Sequence, residues 1–400
     1  MSSTVAEIYF TDKDLKERWS RIETDFWHDL KQQEAIAVKR LLETSMDVQI
    51  QDLIGSQRWA HNYSRPTYRN GFRMRKLLTT YGYMSNIKVP RIRSGKITFT
   101  CLPYYKQRTP DIDRMILEMF LAGVATRRIA ETIAPLLGPR MVSSSAVSRI
   151  SKTLNTCVNE YHAKSLSDNY VYLLADAVYF NVKNPIWKKR RCILVLYGIT
   201  TTGLRELIDF QIAQNGESEN AWQHFLNRLY HRGLMGKCLR LVVTDGNKGL
   251  ANAIRTVYPF AKHQLCWAHK LRNVSNRLPR KLQGACISQA RDIYNASDYS
   301  SALRTFKSWA KFWHPIAPEA VKCLTDDIDS LLHVFNEPKH LWKKLRTSNI
   351  IERCFREVRR RTRPMSCFQN SDSIQRIIFA VFFRLNKQWE NKPLKLTHNS

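Results

Sequence analysis

Val171-Tyr-Leu-Leu-Ala-Asp176-Ala-Val-Tyr-Phe180 places one carboxylate in the middle of an otherwise apolar and aromatic run. Its length and its Val, Tyr and Phe content read as a β-strand, extended here to Val171–Val182. Aspartate is depleted in strands. Two readings of Asp176 are therefore open. In a central strand it is a partly desolvated charge that must be paired or bind a metal. In an edge strand it sits on a wet face.

Working outward, Arg191–Thr200 and Leu204–Ala213 read as second and third strands. Ser218–Arg232 reads as a helix with Trp222, Phe225, Leu226 and Leu229 on one face. Cys238–Val243 is a fourth strand, Lys248–Val257 a helix and Ala261–Leu265 a fifth, short strand. A three-strand meander followed by helix–strand–helix–strand predicts a mixed α/β layer with one parallel portion. Residues 271–340 read as helical, with Leu303, Phe306, Trp309 and Trp313 among their apolar positions, and 347–390 as a basic helix followed by an apolar one.

Two further carboxylates fall where chemistry is placed in such layers. Asp245 ends Leu241-Val-Val-Thr-Asp245, and open α/β sheets bind ligands at the carboxyl ends of parallel strands. Asp245-Gly246 is equally a turn dipeptide whose side chain bonds its own backbone. Glu352 lies in a helix opened by Thr347 or Ser348 as cap, with Ile351, Cys354, Phe355 and Val358 as its core stripe. Glu352, Arg356 and Arg359 share an adjoining face, so a surface Glu–Arg pair is its plain reading. Together, two Asp on strands and one Glu on a late helix can converge at one sheet edge. Such hard oxygen ligands suit Mg2+ or Mn2+, two of which can stabilise an in-line phosphoryl displacement. Cys266-Trp267-Ala-His269 lacks a well-spaced second half for a closed zinc site; it reads as a local structural element positioning Trp267.

The N-terminal third has a different character. Leu15, Trp19, Ile22, Phe26 and Leu30, then Leu41, Leu42, Met46 and Ile50, recur at the helical period, which predicts a helical region over 1–57. Residues 58–108 hold twelve Lys or Arg, nine aromatics ending at Tyr105, and no Asp or Glu. With β-prone runs at Ser85–Val89 and Lys96–Leu102, this reads as a basic β module binding nucleic acid. Over 109–165 three helices follow. Ile112, Met115, Ile116, Met119 and Phe120 share a face of the first, which Gly123 breaks. Ile129, Ile133 and Leu136 mark the second, ending near Gly138; Val147, Ile150 and Leu154 mark the third, with Ser143, Ser144 and Ser145 at its N-terminus. A helix-turn-helix would set Ser144, Ser145, Ser148 and Arg149 nearest the bases; a plain three-helix bundle fits the same pattern.

Charge unifies these features. The 400 residues carry 64 Lys plus Arg against 34 Asp plus Glu, a formal net charge of +30. Such self-repulsion calls for a polyanion, and nucleic acid rewards it through counterion release. The excess gathers in 58–108 and in 339–363, where ten Lys or Arg face Glu352 and Glu357. No apolar run reaches the ~18 residues of a membrane span, so a membrane partner is not expected. Nine cysteines without a visible export signal read as reduced, intracellular thiols.

The order and spacing of several pieces resemble the Mutator-type DDE transposases, in their bacterial insertion-sequence branch. The pieces are Tyr68-Arg-Asn-Gly-Phe-Arg-Met-Arg75, Gly123-Val-Ala-Thr-Arg-Arg128, Ser145-Ala-Val-Ser-Arg149 and Leu174-Ala-Asp176. They continue with Trp222 to Arg232-Gly-Leu234, Thr244-Asp-Gly-Asn-Lys-Gly-Leu250, Gln264-Leu-Cys-Trp-Ala-His269, Arg346-Thr-Ser-Asn-Ile-Ile-Glu352 and Arg359-Arg-Arg-Thr-Arg-Pro364. Two departures are Ala125, where a Ser is common, and the absence of a basic residue after Asp176 until Lys183.

The resemblance implies Asp176, Asp245 and Glu352 as a DDE triad holding two Mg2+ (or Mn2+) ions. It implies an α/β ribonuclease H-like catalytic core over 166–270, a helical insertion over 271–340, and C-terminal core helices over 341–400 carrying the Glu. It further implies binding of terminal inverted repeats and target DNA, cleavage at element ends with strand transfer, at least a dimer on DNA, and action on nucleoid DNA in a bacterial cytoplasm. Arg69, Arg73, Arg75, Arg127, Arg128, Arg346, Arg353, Arg356 and Arg359 join the serines and Arg149 as candidate DNA contacts. The alternatives are a domesticated DNA-binding protein or repressor without chemistry, a recombinase working through a covalent adduct, and an RNA-directed nuclease.

Overall fold

A computed structural model describes residues 26–60, 65–103, 106–122, 124–137, 141–183, 188–214, 216–362 and 371–396. Leu15, Trp19, Ile22, Tyr105, Gly123, Gly138 and Pro364 lie outside these residues. The chain divides into two compact units, residues 1–151 and 152–400.

In the first unit, α1 (Phe26–Ile54) packs on an antiparallel hairpin, β1 (Arg69–Thr79) and β2 (Gly82–Ile92). Met46, Ile50 and Ile54 meet Leu77, Met84, Ile87 and Val89 in one buried cluster. The expected helix stripe is only partly buried, since Leu30 and Leu41 are exposed. Lys96–Leu102 is not a strand; the segment instead lays Phe99 and Leu102 into the hairpin core. Helices α2 (Pro110–Ala122), α3 (Thr126–Leu137) and α4 (Ser144–Lys152) share a core of Ile112, Ile116, Ile129, Ile133, Val147 and Ile150. The Ser143 hydroxyl accepts from the Ala146 N–H at 3.1 Å and so caps α4. The third predicted helix is two: α4 ends at Lys152, and Leu154 opens α5 (Leu154–Ala163) in the second unit.

The second unit is built on a five-stranded sheet. Its strands are β3 (Tyr170–Lys183), β4 (Lys188–Thr200), β5 (Arg205–Ala213), β6 (Leu241–Thr244) and β7 (Lys262–Leu265), in the order β5-β4-β3-β6-β7. β3–β4 and β4–β5 pair antiparallel; β3–β6 and β6–β7 pair parallel. The fourth strand is shorter than read, since Cys238–Arg240 precede it as irregular chain. β3 is therefore central, which decides the first of the two readings of Asp176: it is buried, 5% exposed.

Period-two alternation gives β3 two buried faces. Leu173 and Ala175 point into a cluster with Trp222, Phe225, Leu226 and Leu229 of α6 (Glu219–His231) and Leu250, Ala253 and Ile254 of α7 (Lys248–Val257). The opposite face meets α14 (Asn349–Thr362), where the Phe180 and Phe355 rings are 5.8 Å apart. Phe355 in turn packs on Phe382 of α15 (Ser371–Trp389) at 5.9 Å, and Phe382 on Phe210 of β5 at 5.4 Å. The sheet is thus covered on both sides.

A buried ion cluster ties the edge of this layer together. Asp209 on β5 is fully buried and faces His162 Nδ1 at 2.6 Å, Arg228 at 3.2 Å and Arg232. Arg232 also donates to the carbonyls of Lys164 (2.8 Å) and Tyr161 (3.0 Å). Gly233 follows with φ +118°, and a Cβ there would stand 2.2 Å from the Leu166 carbonyl oxygen. That contact explains the glycine of Arg232-Gly-Leu234.

Between β7 and α14 lie α8 (Trp267–Ser275), α9 (Arg280–Tyr294), α10 (Tyr299–Trp313), α11 (Pro318–Thr325), α12 (Ile328–Leu332) and the short α13 (Trp342–Leu345). The Gln264 side-chain amide and the Trp267 indole both donate to the Leu331 carbonyl at 2.9 Å. Gln264 Oε1 accepts from Val334 N–H at 2.7 Å. These buried bonds anchor the helical segment to the sheet edge. No helix among the described residues is long and apolar enough to cross a membrane.

Candidate active site

The parallel register of β3 and β6 sets Tyr172 beside Leu241, Leu173 beside Val242 and Leu174 beside Val243. Asp176 lies two residues beyond this ladder on β3 and Asp245 directly follows β6, close enough for the Asp245 charge to act on Asp176. Alternation puts Asp176 on the β3 face shared with Phe180, the face covered by α14. Glu352 sits in the first turn of that helix. Sheet register and one helix contact thus bring the three sequence-predicted acids into one region.

Each acid has distinct surroundings. Asp176 Oδ1 accepts from the Ala177 N–H at 2.8 Å. Burial, with the like charge of Asp245, pushes its carboxyl up to about 6, against the opposing effects of His269 and Ser348. Asp245 Oδ1 accepts from the Asn247 N–H at 3.0 Å, and Gly246 takes φ +97°. The turn expected of Asp-Gly is therefore present, and the residue still borders Asp176. Glu352 is partly exposed and turns to the α8 side chains, with His269 Nε2 at 3.6 Å and Arg272 at 3.9 Å. Among the described residues these contacts stand in place of the expected pairing with Arg356.

Glu217, which sequence reading passed over, is a fourth acid of this region. Burial raises it to about 7, helped by the charges of Asp245 and Asp176, while its Oε1 accepts from the Trp222 indole at 3.1 Å. Nothing in the local sequence distinguishes it from an acidic residue preceding a helix cap. Only the packing of α6 against the sheet shows its place.

Cys266 and His269 connect the sheet to the Glu352 helix. Cys266 is buried, and its N–H donates to the Thr244 carbonyl at 2.7 Å. Its sulfur accepts from the Ser348 N–H at 3.3 Å and the Ser348 hydroxyl at 3.6 Å. Thr347 or Ser348 was expected to cap α14; the Ser348 hydroxyl serves the Cys266 sulfur and Asp176. The Trp267 N–H donates to the Arg346 carbonyl at 2.9 Å. His269 is raised to about 9 by hydrogen bonding to Cys266, against burial, with further help from Asp176 and Asp245. Its Nε2 faces Glu352, and Asp176 and Asp245 favour its charged form. The Cys266 and Trp267 bonds clip the start of α14 to the end of β7.

Among the described residues no group of three or more His, Cys, Asp or Glu gathers tightly enough to enclose a metal ion. The donor chemistry nonetheless fits a hard divalent cation. Asp176, Asp245 and Glu217 are oxygen donors that repel one another, and burial disfavours the charges of Asp176 and Glu217.

Of the candidate DNA contacts, Arg69 pairs with Asp47 at 3.4 Å, and Arg75 donates to the Pro103 and Lys106 carbonyls. Arg69 is thus tied to α1 and Arg75 to the chain at 103–106, which leaves Arg73 at the surface. Arg127 and Arg128 are exposed at the start of α3, as are Ser144, Ser145 and Arg149 on α4, with Ser148 half-buried. In the second unit Arg353, Arg356 and Arg359 are exposed on α14; Arg359 lies over the Phe180 ring at 6.0 Å. Arg346 lies over Tyr294 at 4.4 Å and donates to the Tyr294 carbonyl at 3.1 Å.

Residues 14–392 match the family described as "Transposase, Mutator family". The chain belongs to the Mutator family of transposases. Among its relatives is the transposase for insertion sequence element ISRM5 of Rhizobium meliloti (strain 1021), 30% identical over 88% of this chain and 87% of that protein. The transposase for IS256 in transposon Tn4001 of Staphylococcus aureus is 32% identical over 86% and 87%. The transposase for IS406 of Burkholderia multivorans (strain ATCC 17616 / 249) is 30% identical over 91% and 93%. As a family member, the chain is a transposase, and transposases act on DNA.

Proposed function

We propose that the chain is a DDE transposase of an insertion element, working on a ribonuclease H-like sheet through Asp176, Asp245 and Glu352. The observation that carries this reading is the mutual repulsion of Asp176, on the central strand β3, and Asp245, just after the parallel strand β6. The strand order β5-β4-β3-β6-β7, antiparallel then parallel, supports the fold assignment. So does α14, which lays Glu352 over the same sheet face.

In this reading the first unit recognises terminal inverted repeats, with Arg73, Arg127, Arg128 and Arg149 on phosphates and Ser144, Ser145 and Ser148 toward bases. Arg353, Arg356 and Arg359 hold phosphates of the strand beside the acids. Asp176 and Asp245, with Glu352 released from His269 and Arg272, would hold Mg2+ or Mn2+. Bound there, the two ions neutralise the clustered acids and polarise phosphate and water oxygens.

The reaction has two steps. Water adds to phosphorus at the element end, and the bond to the 3′ oxygen breaks; that oxygen leaves with a proton as a 3′-hydroxyl. The hydroxyl then attacks a phosphate of target DNA, giving up its proton as the target's own 3′ oxygen departs. Joining two ends calls for at least two copies on the DNA.

The contact of Glu352 with His269 and Arg272 favours a second reading, a DNA-binding repressor without cleavage. Incubating a labelled element end with the protein in Mg2+ and in EDTA separates the two. Cleavage in Mg2+ that Asp176→Asn and Asp245→Asn abolish, with end binding retained, supports the transposase. Full cleavage by either variant overturns the triad.

A further inference from the structure

A cavity of about 580 Å³ opens beside the Glu352 helix, between β4, α8, α9, α13 and α14. Seven Lys and Arg side chains line it, and no Asp or Glu does. Its remaining walls are largely apolar and aromatic, with Tyr197, Trp267 and Tyr294 joined by Ile199, Leu271 and Ile287. Among the described residues only Arg272 of the seven cations meets a carboxylate, Glu352 at 3.9 Å. Arg346 is committed to Tyr294 and Asn295, and Arg205 to Trp389 and the Lys392 carbonyl. Arg291, Lys343, Lys344 and Arg353 are exposed around the apolar floor, an arrangement suited to an anion that also carries an apolar face.

Size and shape narrow the occupant. The volume falls within the roughly 300–1,000 Å³ in which proteins enclose small organic groups. A duplex is a rod with its phosphates outside and its bases inside, so it cannot put a base face on the floor of this cavity. A single unpaired nucleotide can, with its base against an aromatic ring and its phosphate at a cationic rim. Arg353 adjoins Glu352 in sequence, and Arg272 touches it, so the cavity and the acids share a wall.

We propose that this cavity binds one unpaired nucleotide of the DNA strand lying at the acidic site, base against the stacked Arg346–Tyr294 pair and phosphate on Arg291, Lys343 and Lys344. The assignment rests on the proposal that the site acts on DNA, and it adds that the DNA there is locally unpaired.

The test is fluorescence anisotropy of the full chain with labelled oligothymidylate and with a blunt duplex of equal length. Tyr294→Leu removes the stacking surface, and the double variant Arg291→Ala with Lys343→Ala changes only exposed rim positions, keeping the test sound should the first variant misfold. Each is expected to weaken oligothymidylate binding by about tenfold, the scale of one lost base–aromatic stack, with duplex affinity nearly unchanged. An equal loss on both probes, or no loss on oligothymidylate, overturns the cavity assignment. Displacement of oligothymidylate by equimolar dTMP overturns its restriction to DNA strands. Failure of the unaltered chain to bind either DNA overturns the underlying DNA reading and this inference with it.

Discussion

Replacing Asp176 by Asn should make the protein more stable while destroying its chemistry. Asp176 is 5% exposed and its carboxyl is raised from 3.8 to about 6, first by burial and then by Asp245. The folded chain therefore holds that proton more tightly than the unfolded chain does. The resulting penalty on folding is absent below about pH 4, grows as pH rises from 4 through 6, and is complete above 6. An elevation of about two pH units, at roughly 1.4 kcal/mol each, amounts to about 3 kcal/mol. Asn keeps the side-chain oxygen that accepts from Ala177 and removes the charge.

By thermal unfolding at about pH 8, Asp176→Asn should melt about 5–10 °C above the parent chain. At about pH 5 the gain should fall by about half, and below pH 4 it should vanish. Added Mg2+ should raise the melting temperature of the parent chain at pH 8 and leave the variant's unchanged, since only the parent keeps the acidic ligand. A variant that melts lower at pH 8, or whose gain is the same at pH 5 and pH 8, would refute the reasoning about a desolvated, repelled carboxylate.

Three other outcomes follow from the structure. His269 is raised from 6.5 to about 9, so its charge contributes stability that is complete below 6.5 and lost as pH climbs through 9; His269→Gln should cost stability at pH 6 and little above pH 9, read by urea titration across pH. Asp209→Ala leaves His162, Arg228 and Arg232 around a buried site with no counter-charge and should cost about 3–5 kcal/mol in urea unfolding; a loss near zero would show that the cluster is not held by this acid. Gly233→Ala drives a Cβ toward the Leu166 carbonyl at φ +118°, so calorimetry should show a loss of about 1–3 kcal/mol or more.

The sheet was legible in the sequence because its strands are buried on both faces. β3 reads as a near-continuous apolar run, and the spacing of Trp222, Phe225, Leu226 and Leu229 marks the helix that covers it. Edges read less well. Cys238–Arg240 looks like strand but lies outside the ladder, and Lys96–Leu102 has the composition of a strand but supplies only two core side chains to a hairpin. Leu30 and Leu41 fit a helical period yet stay exposed.

What the sequence by itself determined is which residues can carry charge into this core: Asp176 within an apolar strand, Asp245 at a strand end, Glu352 at a helix start. Their residue types and order, with the +30 balance, point to a DNA-directed acid site before any coordinates exist. What only the tertiary structure decided is who stands beside whom. Asp176 meets Asp245 where β3 and β6 run parallel, Glu217 joins them through the packing of α6, and Cys266 holds Ser348 from 82 positions away in the chain. Those relations come from hydrogen-bond register and side-chain packing between distant segments. Local composition and periodicity encode neither.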